Sequence, residues 1–262
     1  ACKRTEATGT FHEWQTDALR AAAANAQTEG TDATFPTLVP TTRLGNYTQI
    51  QNAHFFVSHT VEWVSKAGRD SEYQYQAEKA MKELARDLEL DALTSTSASG
   101  ASATARSMTG LFSAISTNSS TAASSRALSE DLYNEMLQTI FESSGKPNVT
   151  YCNGFNKRQI SAFPGQTGLR RNIAAADRTT INASDVYQSN FGEQTIILNR
   201  HVPAANIVLV EQAMFRLAVG RPTKHYPLPD LGGGPRGKIE HELTLEYGNE
   251  ASSGKILNLT TS

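Results

Sequence analysis

Cysteine is almost missing from this sequence. Cys2 and Cys152 are the only two in 262 residues, too few for a disulfide framework or a thiolate metal site, so both are expected to be free thiols. No apolar run approaches the roughly 18 residues that span a bilayer. The opening ACKRTEATGT also lacks the hydrophobic stretch of a secretion signal. No excess of one charge is present either. Lys plus Arg total 24 against 26 Asp plus Glu, a formal charge of -2, so no global basic field points to tight nucleic-acid binding. These absences predict a soluble protein made in a cytoplasm, without membrane contact and with only local contact to DNA.

Motifs that carry chemistry are equally scarce. GGGPRG satisfies G-x-G-x-x-G through Gly232, Gly234 and Gly237, but PLPD precedes it and a strand-like run follows it. A dinucleotide site needs a strand before and a helix after, so the stretch reads as a flexible loop. Gly248 with Gly254 and Lys255 resembles a phosphate-binding loop, yet five residues separate the glycines and Ile256 stands where Ser or Thr is required. There is no G-x-S-x-G elbow and no H-E-x-x-H helix. The expectation is that the chain is not an enzyme, binds no cofactor and holds no metal.

What is present is patterned for architecture. Residues 10–19, TFHEWQTDAL, read as a strand with Phe11 and Trp14 on opposite faces. Small and polar residues follow, and a strand signal resumes in RLGNYTQIQNAHFFVSHT from Arg43. The two runs bracket a tip, as in a long hairpin. An isolated two-stranded ribbon is marginal in water, so another copy of the chain is the simplest cover for the part between Arg43 and Gln51. From Ala53 to Trp63 alternation places Ala53, Phe55, Val57, Val61 and Trp63 on one face. On that single strand His54 and His59 point to opposite sides, so they cannot share a metal, and His59 falls on the apolar face as a core histidine.

The period then changes. Ser71 and Gln74 suggest a helix cap, Tyr73, Ala77, Met81, Leu84 and Leu88 recur at three or four residue steps, and Glu78 faces Lys82. About 23 residues of such a helix make a rod of roughly 35 Å. TSTSASGASATARS reads as a long loop or a boundary. A second helix is expected over residues 129–142 through Leu132, Met136, Leu137, Ile140 and Phe141. NVTYC, TTINASDVYQ, EQTIILNRHV and NIVLV read as strands, the last two buried. KIEHELTLEY alternates Ile239, His241, Leu243, Leu245 and Tyr247 against Lys238, Glu240, Glu242 and Glu246, and GNEASSG leads to KILNLTT, so these two runs read as a hairpin with one wet face.

Several stretches resemble a family of phage major head proteins. They are HEWQTDAL at 12–19, Glu29 with Gly30, RLGNYTQI at 43–50, VSHT at 57–60, YQYQAEKAMKELARDLE at 73–89, RSMTGL at 106–111, SNFGEQTIILNRHVP at 189–203 and IEHELTLEYGNEAS at 239–252. They span nearly the whole chain in consistent order. The order of elements likewise resembles the Hong Kong 97-type major capsid fold of tailed bacteriophages.

The resemblance implies an α+β fold with an extended loop and leading strand over 1–65, a spine helix of a peripheral domain over 66–96, an axial domain over 97–218 and closing peripheral strands over 219–262. It implies a major capsid protein that self-assembles into hexamers and pentamers of an icosahedral shell around double-stranded DNA. Portal, scaffold or decoration proteins would be partners, DNA would be contacted non-specifically, and the protein would reside in the virion after assembly in the bacterial cytoplasm. Glu29, Gly30, Phe35, Arg43 and Tyr47 are the subunit-contact residues implied. A tail tube, sheath or adhesin subunit is the alternative. The family has an amino-terminal arm before the loop's first strand, whereas Ala1 stands almost on that strand. Some members of the wider fold weld neighbours through a loop lysine, and residues 19–42 contain none. Intact particles should therefore run as a single band on a denaturing gel, with no covalent ladder arising from the loop tip.

Overall fold

The computed structural model describes residues 3–65, 67–163 and 185–261. Two sheets meet through one strand buried on both sides. The first has four strands in the order β1 (Lys3–Glu6), β10 (Phe215–Leu228), β11 (Arg236–Tyr247) and β4 (Gln49–Phe56); β1 runs parallel to β10 and the other neighbours are antiparallel. The second has six in the order β5 (Ser119–Arg126), β12 (Gly254–Leu259), β9 (Ile207–Val210), β6 (Val149–Cys152), β8 (Gly192–Leu198) and β7 (Val186–Ser189). A separate ribbon pairs β2 (Phe11–Thr16) with β3 (Thr42–Tyr47).

NIVLV behaves as its unbroken apolar run implies. Ile207 and Leu209 of β9 face α4 (Glu130–Glu142) in a core with Leu132, Tyr133, Leu137 and Ile140. Val208 and Val210 face the opposite way, against Phe215, Leu243 and Leu245 of the four-stranded sheet and Leu93 of α2 (Glu72–Thr94). Two apolar cores therefore lie on opposite sides of β9. Short helices α1 (His59–Trp63), α3 (Leu111–Ala114) and α5 (Gly154–Ser161) complete the described fold.

The long helix forms as its pattern predicts. The Ser71 hydroxyl accepts from Gln74 N, a side-chain cap for an otherwise unpaired amide. The Glu62 carboxylate accepts from Glu72 N and Tyr73 N at the same end. Ala80, Leu84 and Leu93 are the buried residues, with Ala80 and Leu84 against Ile239, Ala53 and Phe55, while Met81 is half exposed. The i,i+4 ion pair joins Lys79 to Glu83 at 3.7 Å, one position on from the expected Glu78 and Lys82.

Four sequence expectations are corrected. The alternating run from Ala53 does not reach Trp63: β4 stops at Phe56, Ser58 caps α1 by accepting from Val61 N, and His59 opens that helix. His59 is consequently exposed and pairs with Asp230 at 2.7 Å, not part of the core. KIEHELTLEY and KILNLTT are not a hairpin. The partners of β11 are β10 and β4, while β12 crosses to the six-stranded sheet between β5 and β9. GGGPRG is the built turn of the true hairpin, β10 to β11. The Asp230 carboxylate accepts from Gly232 N and Gly234 N, and a Cβ on Gly234, whose φ is +140°, would overlap Val57 O.

The fourth correction concerns the face expected to be wet. Glu240 and Glu246 are buried, because neighbouring strands bring cations over them. Glu246 accepts from Thr5 of β1 at 2.8 Å, His12 of β2 at 3.1 Å and Arg216 of β10 at 3.1 Å. Glu242 takes Thr48 at 2.6 Å, Arg106 at 2.6 Å and Arg221 at 2.9 Å, and Glu240 takes Arg221 and Lys238. TTINASDVYQ is described only from residue 185 onward, where β7 begins at Val186; the rest of it and Cys2 lie outside the described residues. β8 is only partly buried, through Gln194 and Ile196.

Two predictions follow from this network. Glu246→Gln keeps the shape but removes the charge shared by three strands. It should lower stability by about 2 kcal/mol and the Tm by roughly 4–8 °C, whereas Glu83→Gln on the exposed helix pair should cost under about 0.5 kcal/mol; differential scanning calorimetry of the unassembled subunit compares them. Acid should act in two stages. Burial holds the His241 imidazole below its ordinary value of 6.5, so the unfolded chain takes the proton first and stability falls as pH drops through that value. A hydrogen bond from Lys238 lowers Glu240. Burial pushes Glu242 and Glu246 up, but hydrogen bonds from Thr48 and Arg221, and from His12 and Thr5, outweigh it. Their stabilisation is complete above 4.5, the ordinary carboxylate value, and is lost below it. Urea midpoints measured against pH should show both stages, and His241→Gln should remove only the first.

Candidate assembly surface

The ribbon of β2 and β3 is fixed to the body at its root. Asn46 is buried, donates to Leu245 O at 2.7 Å and Thr109 O at 3.2 Å, and accepts from Thr109 N at 2.8 Å. Trp14 packs edge-on against Tyr247 with ring centroids 4.9 Å apart. His12 reaches Glu246 with both side chains about a tenth exposed. Just beyond, Gln49 and Gln51 both donate to Asp91 of α2, and Gln51 accepts from the His241 ring at 2.8 Å. Gln49 also accepts from Met108 N, so TSTSASGASATARS is tied down at its end; between its isolated bridges at Ala98–Ser107 and Ala101–Thr104 it forms a small hairpin.

The far end of the ribbon has no such fastening. Between β2 and β3 the residues 17–41 have no regular structure except a turn closed by Thr31 N to Thr28 O, with Gly30 at φ +81° as such a turn requires. Leu19 is 99% exposed, Leu38 92%, Phe35 88% and Val39 83%. Each would gain about 1.5–3 kcal/mol if fully buried. Grouped exposure of this kind marks a contact surface. The loop's formal charge comes from Asp17, Glu29 and Asp32 against Arg20.

The expected contact residues divide between these two regions. Glu29, Gly30 and Phe35 lie at the free tip, with no atom within 4 Å of a Cβ built on Gly30. Arg43 and Tyr47 lie in the ribbon itself: Arg43 pairs with Glu13 at 3.4 Å, and the Tyr47 ring meets Phe11 at 4.7 Å. In the run from Arg43 to Gln51, expected to lie against a neighbour, Asn46, Thr48 and Gln51 are buried in their own chain while Arg43 and Ile50 stay exposed. Leu19, Leu38 and Val39 escaped the sequence reading. The signal for two of them was the apolar pair in PTLVP, where prolines on both sides forbid a ladder strand and leave no core to face. The expectation of Trp63 on an apolar strand face with Val57 and Val61 is corrected. As part of α1, Trp63 is 85% exposed, beside half-exposed Val61 and Val64.

Among the described residues, titratable groups with displaced proton affinity are spread over the sheet network, the cores and the β10–β11 turn at Asp230. Burial pushes the Cys152 thiol up to about 12, which keeps it protonated and unreactive, and raises Tyr133. Lys255, from the glycine pattern near the end, donates to Phe112 O at 2.8 Å and so serves packing. The arrangement presents surfaces for other proteins more readily than a place for a reaction.

Known proteins agree with this. A structure titled the capsid of a native GTA particle matches with a TM-score of 0.67 at 10% identity, covering 99% of this chain and 88% of its own. A chain from Mycobacterium phage Cain matches at 0.66 and 14% identity, covering 100% and 89%. The holo-SrpI encapsulin complex of Synechococcus elongatus PCC 7942 matches at 0.64 and 10%, covering 100% and 86%. At these identities the likeness shows the fold, the Hong Kong 97-type capsid fold. The major capsid protein of Escherichia phage Phieco32 is 42% identical over 81 residues, 30% of this chain; the match spans only 23% of that relative's length. The family model described as SU10 major capsid protein matches residues 1–260, and the chain belongs to that family.

Proposed function

We propose that this protein is the major shell subunit of a tailed phage. Copies assemble as hexamers and pentamers into an icosahedral shell around double-stranded DNA, in a purely structural role without catalysis. The observation that carries this reading is the contrast within one ribbon: a root held by buried polar contacts and a tip that exposes Leu19, Phe35, Leu38 and Val39. A lone subunit gains nothing from such a tip; a subunit surrounded by copies buries it. Many modest contacts of this kind stabilise a closed particle through multivalency and mass action. The net charge of -2 suits a shell that confines DNA without gripping it.

In this reading residues 1–65 are the extended loop with its leading strand and 66–96 the spine helix of a peripheral domain. Residues 97–218 form the axial domain, and the closing strands from 219 return to the peripheral sheet. The place of β12 in the six-stranded sheet supports counting residues 254–259 with the axial side in this reading, and β10 begins at Phe215. Glu29, Gly30 and Phe35 meet a neighbouring subunit, while Arg43 and Tyr47 hold the ribbon that presents them. Portal, scaffold or decoration proteins complete the particle, whose assembly takes place in the host cytoplasm.

Electron microscopy of the expressed protein tests the reading. Closed shells or five- and sixfold capsomers are expected; tubes or trimers would instead indicate a tail component. Replacing Glu29 with Lys and Gly30 with Val should leave the subunit's circular dichroism and Tm unchanged and reduce shells at least about tenfold, since a turn with φ +81° resists a β-branched residue. Normal shell yield from that variant would remove the tip from the interface.

A further inference from the structure

The pairing of β10 with β11 is interrupted part way along. Val219 pairs with Leu243 and Arg221 with Glu242, which leaves Gly220 without an opposite residue. The next pair is Lys224 with Glu240, so Pro222 and Thr223 together face His241. Extra residues of this kind bend a strand and leave part of its ladder unmade. Pro222 has no N–H to give, so the interruption falls where a ladder bond is already missing. Every residue from Gly220 to Leu228 is exposed, whereas His241 behind the bulge is buried.

The His241 ring ties this bulge to its neighbours. The Gln51 amide nitrogen donates to Asp91, which leaves the amide oxygen to accept from His241 Nε2 at 2.8 Å. The ring therefore carries its hydrogen on Nε2, and the bare Nδ1 accepts from the Thr223 hydroxyl at 3.3 Å. One neutral imidazole thus joins the β10 bulge to β4 and, through Gln51, to α2.

A further proton has only Nδ1 to bind, and there it meets Thr223. The hydroxyl can turn to accept it, but the charge remains. Among the described residues no carboxylate touches the ring. Asp91 is reached only through the Gln51 amide, and Asp87 of α2 lines the same cleft beside Gln51 and Leu84. β4 offers the uncharged Gln49 and Gln51. Arg221 and Lys224 flank the bulge in register with Glu242 and Glu240, whose side chains take the opposite face of the sheet. A buried cation without a paired anion is costly, and water lies just beyond the exposed bulge.

We propose that this bulge is a proton-operated latch: neutral His241 holds it shut, and the imidazolium opens it, freeing β10 from Gly220 to Leu228 while the rest of the subunit stays folded. The rest has its own fastenings. β1 pairs with β10 over Arg216–Val219, before the bulge, and the two cores beside β9 contain no histidine. Beyond the bulge the side-chain ties of β10 include Arg221 to Glu240 and Glu242, and His225 to Tyr73 at 3.0 Å. Burial holds the His241 imidazole below its ordinary 6.5, so the latch is shut at neutral pH and opens in mild acid, below that value. The device belongs to the single subunit and stands apart from the shell reading.

Hydrogen exchange of the unassembled subunit at about pH 7.5 and about pH 5.5, corrected for the intrinsic pH dependence of exchange, tests the latch. Amides from Gly220 to Leu228 should exchange at least about tenfold faster at the lower pH, while those of β9 stay within about twofold. His241→Gln, uncharged but still able to donate and accept, should hold both segments within about twofold. Thr223→Val removes the hydroxyl and should speed exchange of the bulge already at the higher pH. An equal acid response in wild type and His241→Gln overturns the proposal. So does acceleration of β9 together with β10, which would mean that the whole subunit opens. Should His241→Gln fail to fold, Thr223→Val decides: wild-type exchange from that variant at both pH values contradicts the latch.

Discussion

The Glu246 carboxylate is the point on which the rest of the structure depends. It accepts from Thr5 of β1, His12 of β2 and Arg216 of β10 while it sits in β11, so one buried anion ties together four chain segments far apart in sequence. A buried carboxylate is costly unless each lone pair is used. Here they are used by β1 at the edge of the sheet, by Arg216 of β10 and by the ribbon laid across the proximal face. Glu242 repeats the device four residues back, holding Thr48 just before β4 and Arg106 beyond the long helix. The direction in which the ribbon leaves the body is thus set by polar satisfaction, which is directional, and not by apolar burial, which is not.

That division explains how the molecule can be rigid and unfinished together. The interior is apolar on both sides of β9, in two cores built from the chain's own side chains. The tip is apolar as well, yet no part of the described chain covers it. Because the root is fixed, the cost of ordering the tip on a partner falls on residues 17–41 alone. In the proposed assembly, identical subunits then differ only in where their tips are placed.

Much of the fold was legible because its signals are local. Ser71 with Gln74 and the spacing of apolar residues through Leu84 define α2 without reference to anything distant. NIVLV reads as a strand buried on both faces because no polar residue interrupts it, and Leu132, Met136, Leu137 and Ile140 mark α4. What escaped depends on partners remote in sequence. Glu240 and Glu246 look wet until Arg221, Arg216 and His12 arrive from other strands to join Lys238 of the same strand. Alternation in KIEHELTLEY and in KILNLTT is the same whichever sheet each joins, so period two could not reveal that β12 crosses over. Residues 57–63 alternate as well as any strand. Parity assigned His59 to the core, but a capping Ser58 three residues before Val61 turned the chain into α1. At the contact surface, Glu29, Gly30 and Phe35 came from resemblance, and the apolar pair in PTLVP was visible but unread.

Hydrogen exchange compared between the free subunit and the assembled shell tests the central claim, a fixed root presenting a free tip. The account predicts slow exchange at residues 11–16 and 42–56 in both states, and fast exchange at residues 17–41 in the subunit that becomes slow in the shell. Equal, fast exchange of the tip in both states, or an unprotected root in the free subunit, would contradict it.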